Sequence, residues 1–159
     1  CDCRGSRPVL KFNRKMIVTI EAVLDIAYNA GTHPVQSVDI TARQGMPKRY
    51  LESVLQHLVK SGILLGTRGP KGGYRLARPK SQITLGELVR VVQTHDGSDD
   101  FLADVGGGPM GQRVLLPLWG ALGEKMLILL DEITVERLCL DANRAGVKRE
   151  APVVVDYAI

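Results

Sequence analysis

Apolar residues recur every three or four positions over most of this 159-residue chain, which is the spacing of helices that each cover a core with one face. The pattern predicts a first helix over residues 13–30. It predicts a short second helix between a capping Ser37 and a terminating Gly45, and a longer third helix between Pro47 and Gly62. Because only a short glycine-containing turn separates the second and third helices, together they predict a helix-turn-helix.

The segment after the third helix predicts a β-hairpin. Short strands are expected near residues 63–66 and 73–77, joined by a glycine-rich turn. Residues 83–93, ITLGELVRVVQ, then return to helical spacing with Thr84 as the cap. A helix-turn-helix followed by a hairpin is a winged helix-turn-helix, so we expect a mainly α fold with a small β-hairpin.

The second half of the chain is predicted to contain one long helix and a shorter one. Residues 94–112 are acidic, rich in glycine and without periodicity, which is typical of a linker or mobile loop. A last helix is expected between Thr134 and Gly146. The long helix before it has apolar residues three or four positions apart, at Leu115, Leu118, Trp119, Leu122, Met126, Leu129 and Ile133.

These patterns divide the chain into five parts. We expect an N-terminal extension without regular structure, a winged helix-turn-helix domain, a flexible loop, a helical region and a C-terminal tail that is either a strand or an unstructured end. Their boundaries are 1–9, 10–93, 94–112, 113–146 and 147–159.

Positive charge is concentrated in one stretch of the chain. Residues 47–80 contain eight Lys and Arg residues but one acidic residue, Glu52, for a local charge of +7 in a chain whose formal charge is +4. Such a patch is expected for a polyanionic partner, nucleic acid or anionic lipid, with a solvated basic face as the alternative. No apolar stretch continues uninterrupted for the length of a membrane span, and no catalytic residue set stands out.

The predicted third helix carries side chains that suit DNA. Its apolar leucines face inward, and its outward face contains Lys48, Arg49, Glu52, Ser53, Gln56 and Lys60. Glutamine and serine can bond base edges, glutamate can accept from a cytosine amino group, and lysine or arginine can bind guanine or phosphate. We therefore expect this helix to enter a major groove.

The predicted hairpin tip combines positive charge with flexible backbone. Glycine allows the backbone to approach a sugar-phosphate surface, and an arginine at such a tip suits a narrow minor groove. A tight hairpin with incidental charges is the alternative. The residues concerned are Arg68, Gly69, Pro70, Lys71, Gly72 and Gly73, with Arg75 on the following strand as a further phosphate contact.

The run RYLESVLQHLVKSGILLGTRGPKGGYRLARP, followed by ITLGELVRVV, resembles the Rrf-two (IscR-like) family of bacterial winged helix-turn-helix regulators over about residues 10–145. The resemblance implies a sequence-specific transcriptional regulator, which we expect to be a repressor, that binds a partly palindromic double-stranded DNA operator. It implies a homodimer whose interface is the long helix after the loop. The implied DNA contacts are Lys48, Arg49, Tyr50 and Glu52 on the third helix and Arg68, Gly69 and Pro70 on the wing, with Tyr50 expected to pack at the turn and touch a phosphate.

Cysteine usage separates this chain from the cluster-binding members of that family. Those members carry three closely grouped cysteines in the loop after the ITLGELV helix, whereas residues 94–118 here contain none. Because an iron–sulfur cluster needs several converging thiolates, we expect neither a cluster nor another metal. The cysteines present are Cys1, Cys3 and Cys139. They form no disulfide pattern, so we expect a reducing cytoplasm, with Cys139 as a small buried hydrophobe.

Three alternatives remain open. A redox or metal sensor could be built on the same scaffold, using Cys1 and Cys3, or using the loop carboxylates Asp96, Asp99, Asp100 and Asp104. A winged-helix module could instead dock a protein and never contact DNA, although a basic surface with few apolar anchors argues against it. A small-molecule or protein effector could act near the 94–112 loop.

Overall fold

The computed structural model describes residues 14–31, 33–95 and 108–150. The predicted extension 1–9 with its two cysteines, the four loop carboxylates and residues 151–159 lie outside this part of the chain. The elements follow in the order α1 (Arg14–Asn29), α2 (Ser37–Gln44), α3 (Lys48–Lys60), β1 (Leu64–Thr67), β2 (Gly73–Leu76), α4 (Leu85–His95), a π-helical turn (Gly111–Leu115), α5 (Leu116–Asp131) and α6 (Val135–Arg144). The prediction of a mainly α fold with a small antiparallel hairpin is confirmed.

The first three helices share one aliphatic core. Its fully buried members include Val23, Ile26, Ile40, Leu51, Leu55 and Leu58. The predicted stop at Gly45 is confirmed, because this residue adopts the left-handed conformation with φ 64° and its N–H bonds to the Thr41 carbonyl. That conformation ends α2 and turns the chain into α3, so two helices that share one core form the helix-turn-helix.

Gly62 ends α3 and sends the chain into the first strand. Its φ of 76° is left-handed. The Gly62 N–H bonds to the Val59 carbonyl at 3.1 Å, and the Ile63 N–H bonds to the Leu58 carbonyl at 3.0 Å. These two bonds, with the buried Leu58 and Ile63 side chains, form a Schellman motif. The end of α3 is therefore rigidly joined to the hairpin.

The start of α2 differs from the prediction. The residue that precedes the helix is Gln36, in an extended conformation (φ −81°, ψ 145°), and Ser37 is already helical, so Ser37 is not the cap. The extended backbone has a structural cause: Val35 forms an antiparallel bridge with Tyr74 of β2. The Val35 N–H donates to the Tyr74 carbonyl at 2.9 Å, and the Tyr74 N–H donates to the Val35 carbonyl at 2.7 Å. The hairpin thus gains a third, minimal strand from the segment before α2.

The hairpin strands pair in the register Leu64↔Leu76 and Thr67↔Gly73. Their bounds, 64–67 and 73–76, lie within one residue of the predicted 63–66 and 73–77. At the tip, the Gly72 N–H bonds to the Gly69 carbonyl at 2.9 Å, and Gly69 has a φ of 109°. The wing is therefore a short, tightly turned hairpin.

The second half of the described chain is hydrogen-bonded to the first half. Thr84 accepts from the Glu87 N–H at 3.2 Å, which confirms it as the cap of α4. The Leu85 N–H donates to the Ile133 carbonyl at 2.7 Å. Thr134 caps α6, as predicted, by accepting from the Arg137 N–H. Helix α6 packs on α1 and completes the same core, to which it contributes Val135 and Cys139.

The long helix begins earlier and ends earlier than predicted. The chain is helical from residue 109, inside the segment assigned to the 94–112 loop, and passes through a π-helical turn in which the Leu116 N–H bonds to the Gly111 carbonyl. Pro117 lacks the amide hydrogen that a continuous α-helix needs there, and a wider turn accommodates this. Helix α5 stops at Asp131, so Ile133 lies beyond it and is half-buried.

Helices α4 and α5 meet at Gly86, near the start of α4. A Cβ atom at Gly86 would lie 2.0 Å from the Asp131 carboxylate and 3.0 Å from the Asp131 backbone nitrogen. The Asp131 carboxylate is held by Arg90 through two hydrogen bonds of 2.5 and 2.7 Å. A side chain at position 86 would therefore displace the Asp131 carboxylate and press on the end of α5.

The segment that follows α6 lies against α1. Tyr28 donates its hydroxyl to the Val147 carbonyl at 2.5 Å, and the Arg149 guanidinium lies 4.9 Å from the centre of the Tyr28 ring. The Glu150 N–H donates to the Asn29 side chain at 3.0 Å. The described start of the predicted 147–159 tail is thus attached to the end of α1. No helix in the described part of the chain is both long and apolar enough to cross a lipid bilayer.

Candidate nucleic-acid interface

The outward face of α3 is polar, and its side chains are accessible along the helix. Lys48, Arg49, Ser53 and Gln56 are exposed, and the Glu52 side chain is 45% exposed. The Lys48 ammonium lies 4.0 Å from the Glu52 carboxylate, a loose pair one helical turn apart. Exposed pairs of this kind contribute little to stability. Both side chains therefore remain available to another partner.

The outward face of α3 and the wing border one concave surface, which we call the wing groove. It has a volume of about 620 Å³. Gln56 and Lys60 lie on its α3 side, and Arg68, Gly69 and Pro70 lie on its wing side. Glu52 is one helical turn before Gln56 on the same side of α3. The structure thus brings together the two predicted contact regions, the third helix and the hairpin tip.

The wing groove has a third side that the sequence analysis missed. Gln36, Ser37 and Val38, from the start of α2, line it beside the wing. The Gln36 side-chain amide donates to the Pro70 carbonyl at 3.3 Å, and Val38 is 57% exposed. No charge or periodicity marks these residues in the sequence. They reach the groove because the Val35–Tyr74 bridge places the start of α2 beside the hairpin.

Three of the predicted DNA contacts have structural roles. Tyr50 is half-buried and packs against the core. A Cβ atom at Gly72, which is buried, would lie 2.2 Å from the Thr67 carbonyl oxygen, and one at Gly73 would lie 2.5 Å from the Val35 carbonyl oxygen. Close backbone contacts, within the hairpin for Gly72 and with the segment before α2 for Gly73, therefore account for glycine at both positions.

Several cations on α3 and on the hairpin, two of which line the wing groove, have no anionic partner in the described part of the chain. They are Arg49, Lys60, Arg68, Lys71 and Arg75, all of them exposed. Arg78 is different, since its guanidinium pairs with the Glu87 carboxylate and holds the end of the hairpin against α4. The remaining exposed cations create a positive field that attracts phosphates.

Helix α5 carries a separate apolar surface on the other half of the molecule. We call this the α5 face, and its residues are 37–62% exposed: Leu115, Leu118, Trp119, Leu122, Met126 and Leu129. The opposite side of α5, at Gly120, Gly123 and Leu127, is buried. Ile133, the last of the predicted interface residues, follows the helix and does not extend this face. The α5 face is the largest set of exposed apolar side chains on any described helix.

Within the described residues, no group of three or more His, Cys, Asp or Glu side chains converges as a metal site would require. Cys139 is a free thiol in the core, 3% exposed, as predicted. Burial raises the pKa of the Cys139 thiol above its ordinary value. A buried thiol kept in its protonated form is a poor nucleophile and a poor metal ligand.

The helix-turn-helix and its hairpin, joined around the wing groove, define a winged helix-turn-helix protein. A sequence profile of the Rrf2 family, described as an iron-dependent transcriptional regulator, matches residues 12–141. The chain belongs to the Rrf2 family.

Individual relatives agree with the family. The HTH-type transcriptional regulator IscR of Klebsiella pneumoniae strain 342 is 36% identical over 132 residues, which cover 81% of this chain and 79% of that protein. A putative HTH-type transcriptional regulator of Haemophilus influenzae is 33% identical over 142 residues, which cover 89% and 93%. Because these relatives are transcriptional regulators, the chain is a DNA-binding regulator of transcription and not an enzyme.

Solved structures show the same fold. The structure of T. potens IscR matches with a TM-score of 0.68 and 29% identity, over 88% of this chain and 93% of that one. CymR, the global cysteine regulator of B. subtilis, matches with a TM-score of 0.65 over 83% of this chain and 98% of that one. At 23% identity, the CymR match supports the fold alone.

Proposed function

We propose that this regulator is a cytoplasmic repressor that binds a partly palindromic DNA operator as a homodimer, without an iron–sulfur cluster. The observation that carries the proposal is the wing groove, where the polar face of α3 and the cationic wing tip border one surface. In this arrangement α3 enters the major groove, and Glu52, Ser53 and Gln56 contact base edges. Arg68, Lys71 and Arg75 bind phosphates or the adjacent minor groove.

The α5 face supports the homodimer. Its positions 115, 119, 122, 126 and 129 alternate steps of four and three residues, which is the a/d spacing of helices that pair along a seam. Apolar side chains clustered in this way on a helix surface mark an interaction site. A second copy of the chain buries these side chains against its own α5 face, because a twofold interface pairs the same surface of both subunits. The two α3 helices of such a dimer lie about 34 Å apart on DNA, one helical turn.

The absence of a cluster is proposed from the sequence. Residues 94–118 contain no cysteine, and Cys139 is isolated in the core. The alternative is an iron-dependent regulator, because the family profile is described in those words. Anaerobic purification followed by absorbance, iron and sulfide measurements separates the two. Colourless, iron-free protein that binds DNA supports the proposal, and stoichiometric iron in active protein overturns the cluster-free part.

The direct test of DNA binding is selection of bound duplexes from a random pool. We expect enrichment of a partly palindromic motif. Affinity for that motif should fall steeply with salt, because each phosphate contact contributes a slope of about −0.9 in a plot of log affinity against log salt concentration. A salt-independent, sequence-independent result would favour the alternative in which the winged helix docks a protein. An enriched motif without palindromic symmetry would contradict the homodimer.

A further inference from the structure

The wing tip is held by one side chain from outside the hairpin. Gln36, directly before α2, donates its amide to the Pro70 carbonyl at 3.3 Å. Pro70 is the second residue of the tip turn, which the Gly72 N–H closes on the Gly69 carbonyl. The carbonyl of that second residue belongs to the central peptide of the turn and has no partner within the turn itself.

The residue after Pro70 restricts the type of this turn. Proline at the second position is compatible with type I and type II turns, which differ by a flip of the central peptide, but a type II turn needs a positive φ at the third position, which is Lys71 here. Lysine disfavours that conformation, so the sequence favours a type I turn and one direction for the Pro70 carbonyl. The backbone around the donor is also defined, since Val35 is bridged to Tyr74 on one side of Gln36 and α2 begins on the other. The hydrogen bond from Gln36 therefore joins two segments of defined backbone, the wing tip and the start of α2.

We infer that Gln36 is a positioning residue that holds the wing tip against the start of α2 and thereby sets the width of the wing groove. The position of the wing tip also determines where Arg68 and Lys71 lie, because these two cations stand on either side of Pro70 along the chain. The inference deepens the proposed function, because it rests on the wing and α3 engaging one duplex. In this role Gln36 need not touch DNA. It reduces the cost of ordering the wing when the duplex binds.

The first experiment uses the free protein. The variant Gln36→Met keeps the length of the side chain and removes the donor, and Gln36→Ala removes both. Gln82→Met is the matched control, because Gln82 is an exposed glutamine in the turn before α4 and outside the wing groove. Amide exchange and ¹⁵N relaxation should show faster exchange and larger motion at residues 68–72 in both Gln36 variants, with α3 unchanged. Unaltered dynamics at the tip would overturn the inference.

The second experiment measures binding to a random-sequence 30-base-pair duplex by fluorescence anisotropy. Loss of one hydrogen bond that orders the wing should weaken binding by about two- to tenfold for both Gln36 variants. The effect should be much smaller when Arg68 and Lys71 are already alanine, because the wing tip then has no cationic contact to lose. An equal loss in both backgrounds would mean that Gln36 contacts DNA itself, and wild-type affinity in Gln36→Met would mean that the hydrogen bond is irrelevant. Either result overturns the inference.

A failure of the proposed contact between the wing and DNA can be distinguished from a failure of the positioning role of Gln36. If the Arg68→Ala, Lys71→Ala variant binds the duplex as wild type does, the proposed wing contact fails, whatever Gln36 does. If that variant weakens binding but the Gln36 variants do not, the wing contact stands and the positioning role fails.

Discussion

Asp25 of α1 and Arg43 of α2 form a two-point ion pair inside the helix-turn-helix. The Arg43 Nε and Nη2 atoms donate to the Asp25 carboxylate at 2.9 and 2.6 Å, and the Asp25 side chain is 1% exposed. Gln44 supplies a third donor at 2.9 Å, and Arg43 also bonds Glu150 at 2.8 Å. The hydrogen bonds that Arg43 donates to the Asp25 carboxylate raise the pKa of Arg43 above its ordinary value. One guanidinium therefore links α1, α2 and the segment after α6.

Replacing Arg43 by alanine should strongly destabilise the fold. The substitution leaves the Asp25 carboxylate buried with one weak donor, and breaking a buried pair in this way costs about 3–5 kcal/mol. Urea unfolding at neutral pH measures it. Arg144→Ala is the control, because Arg144 is 72% exposed and lies 3.7 Å from Asp141. The control should cost less than about 0.5 kcal/mol. Equal, small losses in both variants would show that the Asp25 pair is not essential.

Glu52→Ala and Arg68→Ala should have different effects on DNA binding. Glu52 is on the outward polar face of α3, which is proposed to face the bases, so its loss should relax base preference at one operator position by about 1–3 kcal/mol of discrimination. Arg68 is on the wing tip, so its loss should weaken binding to every sequence and reduce the salt slope by about one. Fluorescence anisotropy with a panel of operator variants measures both. Equal losses on every site for both variants would contradict this division.

Leu129→Asp should prevent dimerisation, whereas Ile128→Asp should not. The two residues are neighbours with almost the same exposure, 62% and 61%. Leu129 belongs to the α5 face, and Ile128 is turned about 100° from it around the helix. Light scattering and unfolding at two protein concentrations measure the difference. Two dimeric variants would show that the α5 face is not the interface, and two monomeric variants would show that charge anywhere on α5 disrupts association.

Asp131 should contribute to stability in a pH-dependent way. Hydrogen bonds from Arg90 lower the pKa of Asp131 below its ordinary value. Folding then favours the ionised carboxylate, so the contribution is present above the unfolded pKa and is lost as the pH falls through the folded pKa. Asp131→Asn should cost less than about 1 kcal/mol at neutral pH, because the pair is partly exposed. The difference from wild type should begin to shrink near pH 4 and disappear only below the lowered pKa of Asp131.

The double variant Arg90→Gln, Asp131→Asn tests whether the Arg90–Asp131 ion pair accounts for this loss of stability. Arg90→Gln should lose the same amount as Asp131→Asn at pH 7, and combining them should cost nothing further if the two groups act together. Urea unfolding from pH 3 to pH 7 provides the data. A loss in Asp131→Asn that is as large at pH 3 as at pH 7 would assign the effect to packing beside Gly86 instead of to charge.

The helices and strands were predictable wherever a local sequence pattern alone determined the backbone. Helical spacing located the helices, and Gly45, Thr84 and Thr134 act at their ends as the sequence indicated. Ser37 failed as a cap because a strand bridge at Val35 determines the backbone there. Such a bridge pairs one residue with one partner far along the chain, so it leaves no periodic pattern to detect.

The sequence also predicted those parts of the candidate site that a local pattern marks, and it missed the part that depends on a contact across the fold. The α3 face and the wing follow from amphipathicity and charge, and the structure joins them around one groove. Gln36 was missed because its contact is a single polar bond across the fold. Ile133 was placed on α5 because its spacing continues the stripe, whereas the bond between its carbonyl and the Leu85 N–H ends the helix first.

The contact between Gly86 and Asp131 also bears on how far apart the two operator half-sites can be. At this junction the Gly86 backbone of α4 lies against the Asp131 carboxylate at the end of α5. In the proposed dimer, the same contact occurs once in each subunit, on the two sides of the symmetry axis. If a methyl group at Gly86 moves α5 as well as the Asp131 side chain, both halves of the dimer move together. The half-site spacing that the regulator accepts would then change without any change in a residue proposed to touch DNA.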